Sequence, residues 1–273
     1  MNNFDLSIII LNYKTSNLIK YCILNLKKLK LSLKYEIIVV DNEPTTACQE
    51  MINKNFVDVK YVKAEKNRGF AAGNNLGIKK AQGKYLLIIN PDIAIIDSAI
   101  EKMVNYLEEH PRVGIIGPKQ LNAAGSLQYS CGVFPDWRLP FYRRTFLGKT
   151  PAGKKWLKNY LMMDWDHNQI KAVDWLFGAC LLIRHEALTK VGLLDERFFL
   201  YLEDTDWCRR FWENDYQVVY FAQAEVIHYH RRSSAENTGL TGLFSRAGRI
   251  HLTSFIKYFL KYLGKPQPVK KLS

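Results

Sequence analysis

Short unbroken apolar runs alternate with helix-spaced apolar positions along the first part of the chain. Residues 6–11 (LSIIIL) form one such run, the mark of a strand buried on both faces. Ser16 and Asn17 then offer an N-cap for a helix reaching to about position 29. A second strand is predicted over 35–40 (YEIIVV), followed by Asp41, and a weaker third over 57–62. A helix over about 72–81 leads to a strand at 85–89 (YLLII), an amphipathic helix at 98–110 and a strand at 113–116. This alternation implies α/β architecture with a parallel sheet covered by helices on both faces.

The rhythm breaks between 123 and 171. That stretch is rich in aromatic and basic residues (among them Trp137, Arg143, Trp156 and Trp165) and its periodicity is weak. It reads as a long excursion over the surface, either a lid or an acceptor wall. Regular pattern resumes with a strand at 179–183, a helix at 203–214 and strands at 217–221 and 225–228. The segment 244–263 reads as an amphipathic helix. Leu252, Phe255, Ile256, Phe259, Leu260 and Leu263 make its apolar stripe, with Arg249, Lys257 and Lys261 outside it.

Composition narrows the class. With 273 residues, 48% hydrophobic and 24% charged, the chain is expected to fold as one large domain or a domain with an appendage. Five cysteines, at 22, 48, 131, 180 and 208, include no C-x-x-C pair, which argues against a zinc ribbon or disulfide framework and suits reduced cytosol. The first residues lack the basic region of a signal peptide, and no apolar run approaches the roughly 20 residues that cross a bilayer. An integral membrane protein is therefore not expected. The formal charge of +13 fits nucleic acid, anionic lipid or a polyphosphate-bearing substrate, and equally a soluble lysine-rich surface.

Candidate chemistry collects just after the apolar runs, where open α/β sheets bind ligands. Asn12 and Tyr13 follow the first strand, Asp41 and Asn42 the second, and Asn90-Pro91-Asp92 the strand at 85–89. Each is also an ordinary turn sequence. The loop 67–75 (NRGFAAGNN) runs into a helix, and its small residues permit close approach to an anion such as diphosphate. It matches neither the dinucleotide fingerprint nor the P-loop. Asp92 offers a hard oxygen ligand for Mg2+ or Mn2+. Glu203, Asp204 and Asp206 open a helix, where acids suit the macrodipole and a positioned carboxylate can act as a base. His228 and His230 lie two apart at a strand end, and imidazole is a common metal ligand.

Taken in order, N-Y at 12–13, V-V-D-N at 39–42, N-R-G-F-A-A-G-N-N at 67–75, N-P-D at 90–92, W-L-F-G-A at 175–179, L-Y-L-E-D-T-D at 200–206 and V-I-H at 226–228 resemble glycosyltransferase family 2, and within it the rhamnosyltransferase branch. The resemblance implies a GT-A fold: a central, mostly parallel sheet flanked by helices, with a C-terminal helical appendage. Covering about Leu6 to His230, it divides the chain into a nucleotide-sugar binding half (1–118) and an acceptor-binding and catalytic half (119–243), to which the periodicity adds a C-terminal amphipathic helix with a basic tail (244–273).

Carried over position by position, the resemblance places Asn12, Tyr13, Asp41, Asn67, Gly69, Asn74 and Asn90 on the donor, with Asn12 and Asp41 at the nucleoside. Asp92 would hold Mg2+ or Mn2+ against the diphosphate, the family's D-x-D appearing here as N-P-D. His228 would complete that site, with His230 the alternative. Trp175, Gly178 and Ala179 would line the acceptor, Asp204 would be the catalytic base, and Glu203 would stand beside it.

The implied activity is inverting, metal-dependent transfer of a sugar from a nucleotide diphosphate to a polysaccharide or lipid-linked saccharide. Rhamnose from dTDP-rhamnose is the donor that the family branch implies, with uridine-diphosphate sugars left open. The expected location is cytoplasmic, at the inner face of the cytoplasmic membrane if the basic helix meets anionic lipid. Nucleic acid is not an expected partner, and a homodimer is left open. Two other readings compete. A sugar-nucleotide nucleotidyltransferase would need a glycine-rich N-terminal loop that residues 11–15 (LNYKT) lack. A non-catalytic carbohydrate-binding module leaves Asp92, Glu203 and Asp204 unexplained.

Overall fold

The computed structural model describes residues 3–42, 46–229 and 245–270. His230, Phe244 and Lys271 lie outside the described residues, as does the 243/244 division of the chain.

Four strands, β1 (Phe4–Asn12), β2 (Tyr35–Asp41), β3 (Lys60–Lys63) and β4 (Gly83–Ile89), pair in parallel in the order β3-β2-β1-β4. Their connections are the helices α1 (Ser16–Lys28), α2 (Thr46–Asn55) and α3 (Phe70–Ile78). The sheet then continues through β11 (Cys180–Arg184), β6 (Val113–Leu121), β12 (Gln217–His228) and β5 (Ile93–Ile95). Of these, β11 and β5 run antiparallel to their neighbours, and β6 and β12 pair in parallel. The sheet is mostly parallel, as the apolar runs imply.

Alternation along each strand sends side chains to two cores. Ile9 and Leu11 of β1 join Ile38, Val40, Leu86 and Ile88 on one face. Leu6, Ile8 and Ile10 join Ile37, Val39, Leu87 and Ile89 on the other. Each of these isoleucines is at most 3% exposed, and burying such a side chain is worth about 1.5–3 kcal/mol. On the second face lie α1, α2 and α4 (Ala99–Glu109); on the first lie α3, α6 (Pro151–Tyr160) and α8 (Glu203–Glu213). Close approach of α3 to the sheet requires Gly73, where an added Cβ would stand 2.5 Å from Leu11 Cδ1.

Several sequence expectations shift. The helix expected at 72–81 runs Phe70–Ile78, and the strand expected over 57–62 is Lys60–Lys63. The two strands expected at 217–221 and 225–228 are one strand whose register slips between Phe221 and Glu225. Such a bulge keeps a strand continuous while breaking its period of two. The excursion at 123–171 is more structured than its weak periodicity suggests. It contains β7 (Leu127–Gln128), β8 (Cys131–Gly132), α5 (Leu139–Arg144) and α6, with β9 (Lys171–Ala172) at its end. β8 pairs with β10 (Trp175–Leu176), and a single-turn helix α7 (Leu188–Val191) follows β11. All five cysteines are free and buried.

The last helix, α9 (Arg246–Tyr262), is turned differently from its apolar stripe. Its buried residues are Gly248, His251, Ser254, Tyr258 and Tyr262. Phe255 and Phe259 are half-buried against the core, while Leu252, Ile256, Leu260 and Leu263 are exposed. Polar anchors set this rotation. Asp206 of α8, fully buried, accepts from Tyr262 Oη (2.8 Å) and Arg210 Nε (2.9 Å) and pairs with Lys261. Lys261 also bridges to Asp195 at 2.7 Å, and Ser254 Oγ donates to the Leu200 carbonyl at 2.8 Å.

Removing one partner of a buried ion network leaves the others uncompensated, which costs about 3–5 kcal/mol. Asp206→Ala is therefore expected to lower unfolding stability by that order in chemical denaturation, with α9 becoming the first protease-sensitive element. Unchanged stability would show that α9 is held by its aromatic residues alone.

Candidate functional site

The polar residues that end β1, β2 and β4 all lie at the carboxyl edge of the parallel strands, as Asn12 pairs with Asp41 and Ile10 with Ile89. Asn12 Nδ2 donates to Asp41 Oδ1 (2.9 Å) and Tyr61 Oη donates to Asp41 Oδ2 (2.9 Å). Asn12 Oδ1 in turn accepts from the Thr15 amide and hydroxyl at 3.0 Å each, which fixes the turn into α1. Asn12 and Asp41 are thus buried against each other, and Tyr13 stands exposed beside them.

Next to this pair lies the loop entering α3. Asn42 Nδ2 donates to Asn67 Oδ1 and to the Gly69 carbonyl, both at 3.0 Å, and the Gly69 amide donates to Asn67 Oδ1 at 2.8 Å. Gly69 has φ +97, and a Cβ there would fall 2.1 Å from the Phe199 carbonyl oxygen. Only glycine fits this contact. It lets the Phe70 amide donate to that same carbonyl at 2.8 Å. Asn75 reinforces the junction, giving its Nδ2 to the Leu194 carbonyl (2.8 Å) and taking the Leu194 amide on Oδ1 (3.1 Å). Asn74 is buried and turns back to the Phe70 carbonyl within its own helix.

Beyond Phe199 the chain passes through Tyr201 and Leu202, both in the left-handed region (φ 72 and 66), and enters α8. Two consecutive non-glycine residues there are strained, a state that persists where the surroundings over-determine it. The turn delivers Glu203 and Asp204 to the helix N-terminus. Asp204 Oδ2 accepts from the Gly178 amide (2.9 Å) and Oδ1 from the Thr205 amide (2.7 Å). Burial raises the Asp204 carboxyl above the usual carboxylate range, partly opposed by those amides. Burial and then the Asp204 charge push Glu203 well above it.

Both acids line a cleft of about 140 Å³. Phe70, Tyr160, Trp175 and Phe177 supply aromatic walls, Gly178 and Ala179 the floor, and Asn90 reaches it from the end of β4. The Asn90 amide donates to the Ala179 carbonyl at 2.8 Å, and Trp175 Nε1 donates to the Val133 carbonyl at 2.8 Å.

Two residues past Asn90, Asp92 meets His228. Their Oδ1 and Nε2 are 3.5 Å apart. His228 Nδ1 lies 3.1 Å from both Gln120 Oε1 and Gln128 Nε2, which turns Nε2 toward the carboxylate. A ring held at one nitrogen with the other beside a carboxylate suits a divalent cation. No group of three or more histidine, cysteine or acidic side chains is arranged to hold a metal ion among the described residues. A cation held by one or two carboxylates takes its remaining ligands from phosphate oxygens and water.

The structure thus brings Asn12 with Asp41; Asn67 with Gly69; Trp175, Gly178, Ala179, Asn90, Glu203 and Asp204 around one cleft; and Asp92 with His228. Sequence reasoning singled out Asn42 without a role and passed over Asn75, although it sits inside the 67–75 motif. It also missed Phe199, which acts through its carbonyl, and His251, which lines the cleft from α9; Arg143 of α5, from the stretch read as a lid or acceptor wall, lines the cleft too.

Residues 7–170 match the family model for glycosyl transferase family 2. The chain belongs to that family. It is 28% identical over 228 residues to the low-salt glycan biosynthesis hexosyltransferase Agl10 of Haloferax volcanii, covering 82% of this chain and 67% of that one. It is 26% identical over 238 residues to the rhamnosyltransferase WbbL of Escherichia coli, covering 83% of each. An N-acetylglucosaminyl-diphospho-decaprenol L-rhamnosyltransferase of Mycobacterium tuberculosis is 24% identical over 74% of this chain and 68% of its own length. Among solved structures, GalNAc-T7 with UDP, GalNAc and Mn2+ superposes with a TM-score of 0.62 at 15% identity, over 86% of this chain and 45% of that one. The mannosyltransferase PcManGT of Pyrobaculum calidifontis, with GDP-Man and Mn2+, gives 0.57 at 14% identity over 96% and 71%. The fold is GT-A, and the chain is a glycosyltransferase.

A reaction that uses Asp204 as a base needs its carboxylate unprotonated. Because its acidity is lowered, activity should fall as pH drops through a value above the roughly 3.9 of a free aspartate. The acid limb of kcat/KM measures this, and a limb at or below that value would show an unperturbed group.

Proposed function

We propose that this glycosyltransferase moves a sugar from a nucleotide diphosphate to a saccharide acceptor with inversion, Asp204 serving as the base. The observation that carries the reading is the cleft in which Asp204, oriented by the Gly178 amide, faces aromatic walls on the acceptor side. The division at about 118 into a donor half and an acceptor half belongs to the same proposal.

The donor lies along the carboxyl edge of the strands, over Asn12, Asp41 and the loop at 67–75. Its diphosphate points to Asp92 and His228. The acceptor hydroxyl attacks the anomeric carbon from the face opposite the diphosphate. As the new C–O bond forms, the hydroxyl proton passes to Asp204, and the electron pair of the breaking C–O bond leaves with the diphosphate. Burial and the Asp204 charge both disfavour ionisation of Glu203, which limits the negative charge beside the base. Asp92 and His228 would hold Mg2+ or Mn2+, which when bound neutralises charge on the leaving diphosphate. Support for the metal comes from the pairing of these two side chains and from the Mn2+ in the two GT-A structures.

The names of the relatives favour transfer of a hexose or rhamnose, and one of them names a lipid-linked acceptor; on this reading dTDP-rhamnose is the first donor to try and the enzyme works at the inner face of the cytoplasmic membrane. The exposed row Leu252, Ile256, Leu260 and Leu263 supports such a location, because Arg246, Arg249 and Lys257 border it on the same helix. No helix among the described residues is long and apolar enough to cross a membrane. An amphipathic helix with a basic rim binds anionic interfaces without crossing them.

Asp204→Asn is expected to lower transfer by about 10²–10⁴-fold with nucleotide affinity retained, and Asp92→Ala to abolish the Mn2+-dependent part of nucleotide diphosphate binding in calorimetry. Full turnover in Asp204→Asn removes it as the base. An intact metal effect in Asp92→Ala removes that residue from the site.

For the membrane, Ile256→Glu with Leu260→Glu should abolish salt-sensitive co-sedimentation with anionic vesicles. These exposed positions test the surface without disturbing the Asp206 anchor. Retained binding would move the docking site elsewhere, and a vesicle-free dimer lost in the variant would assign the row to a second copy.

A further inference from the structure

Two side chains of the cleft carry polar atoms that find no hydrogen bond among the described residues. Glu203 is 4% exposed and its Oε2 is buried with no partner. His251 is 6% exposed and its Nδ1 is in the same condition. They arrive from different elements, α8 and α9, and line the same cavity. A buried polar atom with no partner costs about 1–3 kcal/mol. A guest that brings hydroxyl groups to both atoms removes that penalty, and aromatic walls suit the apolar faces of a sugar ring.

A third residue adds a charge. Arg143 of α5 is exposed and also lines the cleft, at its solvent side. Neighbouring Arg144 lies over the Tyr201 ring, 5.3 Å from its centroid, and Tyr201 packs edge-on to His251 at 5.3 Å. Burial, then the charges of Arg144 and Arg143, push the imidazole down to about 3. His251 is therefore neutral at working pH, with one ring nitrogen donating and one accepting. Such a ring matches a hydroxyl, while a guanidinium matches phosphate or carboxylate.

We propose that the cleft takes its acceptor as a saccharide bearing an anionic substituent, with His251 and Glu203 reading the sugar hydroxyls and Arg143 the anion. This rests on the glycosyl-transfer reading above and adds to it the chemistry by which the acceptor is chosen. It also makes α9, distant in sequence from the motifs of the family, a specificity element of the site. The anion has two sources, a phosphate at the anomeric position or a carboxylate on the ring.

The test uses the full chain saturated with nucleoside diphosphate and Mn2+, titrated by calorimetry. The probes are hexose and hexosamine 1-phosphates, the matching hexuronic acids and the matching neutral methyl glycosides. At least one anionic member should bind about tenfold or more tightly than its neutral counterpart, and Arg143→Ala should erase that difference. Tighter binding in the phosphate arm or in the uronate arm identifies the source of the anion.

His251→Leu should weaken anionic and neutral members alike by about tenfold. His251→Gln, which keeps a donor and an acceptor, should restore most of the loss, and nucleoside diphosphate affinity should be unchanged in both. Neutral glycosides bound as tightly as anionic ones, or no anionic member bound at all, would overturn the proposal. So would a His251→Leu protein that binds as the wild type does. Arg143, being exposed, gives a variant that folds even where the His251 change does not. Slow release of nucleoside diphosphate from nucleotide-sugar without acceptor reports the underlying reading separately. Its absence in the wild type across the donor panel fails that reading, whereas a flat acceptor panel with release intact fails only this one.

Discussion

The cleft keeps its shape only if the N-terminus of α3 stays against the loop that enters α8, since one lies beside Asn42 and Asn67 and the other carries Glu203 and Asp204. The Phe199 carbonyl makes that contact, accepting from the Phe70 amide at 2.8 Å across a glycine that leaves no room for a Cβ. Asn75 adds a two-way amide clamp to Leu194, 119 positions away. From there the strained pair Tyr201 and Leu202 turns the chain into α8, and the Gly178 amide receives Asp204. Each link fixes the next, so the separation between the strand ends and Asp204 is set by backbone geometry more than by side-chain packing.

Much of this was legible in the residues, for physical reasons. β1, β2 and β4 are buried on both faces and so read as unbroken apolar runs, and the polar residues after them fall at one edge because the strands are parallel. The structure also brings motif residues together that lie far apart in sequence, Asp92 beside His228 and Asp204 beside Gly178. What was not legible has common causes. The stretch from 123 to 171 folds into short pieces, too brief for periodicity to register. Phe199 contributes a carbonyl, and any residue has one. His251 is a lone histidine on a helix, and its neighbours in space come from elements far away in sequence.

The rotation of α9 teaches a related point. Its apolar residues were read correctly as a stripe, yet the buried face carries Gly248, His251, Ser254, Tyr258 and Tyr262. Hydrophobic spacing finds a helix, but here ion pairs and hydroxyl bonds around Asp206 choose which side faces inward. A buried carboxylate cannot be left uncompensated, so its partners outrank the leucines.

Sheet order has a consequence for how the polypeptide is made. β4 and β6 are never neighbours, because β11 lies between them and hydrogen-bonds to both. On the ribosome the block β3-β2-β1-β4 can close as soon as residue 89 has emerged, but the outer edge of β4 waits for residues 180–184. Through that interval a strand reading YLLII presents unsatisfied amides and carbonyls beside a row of apolar side chains, the features that invite pairing with another nascent chain. The antiparallel strand that completes the sheet therefore also ends the period in which the emerging protein is most prone to aggregate.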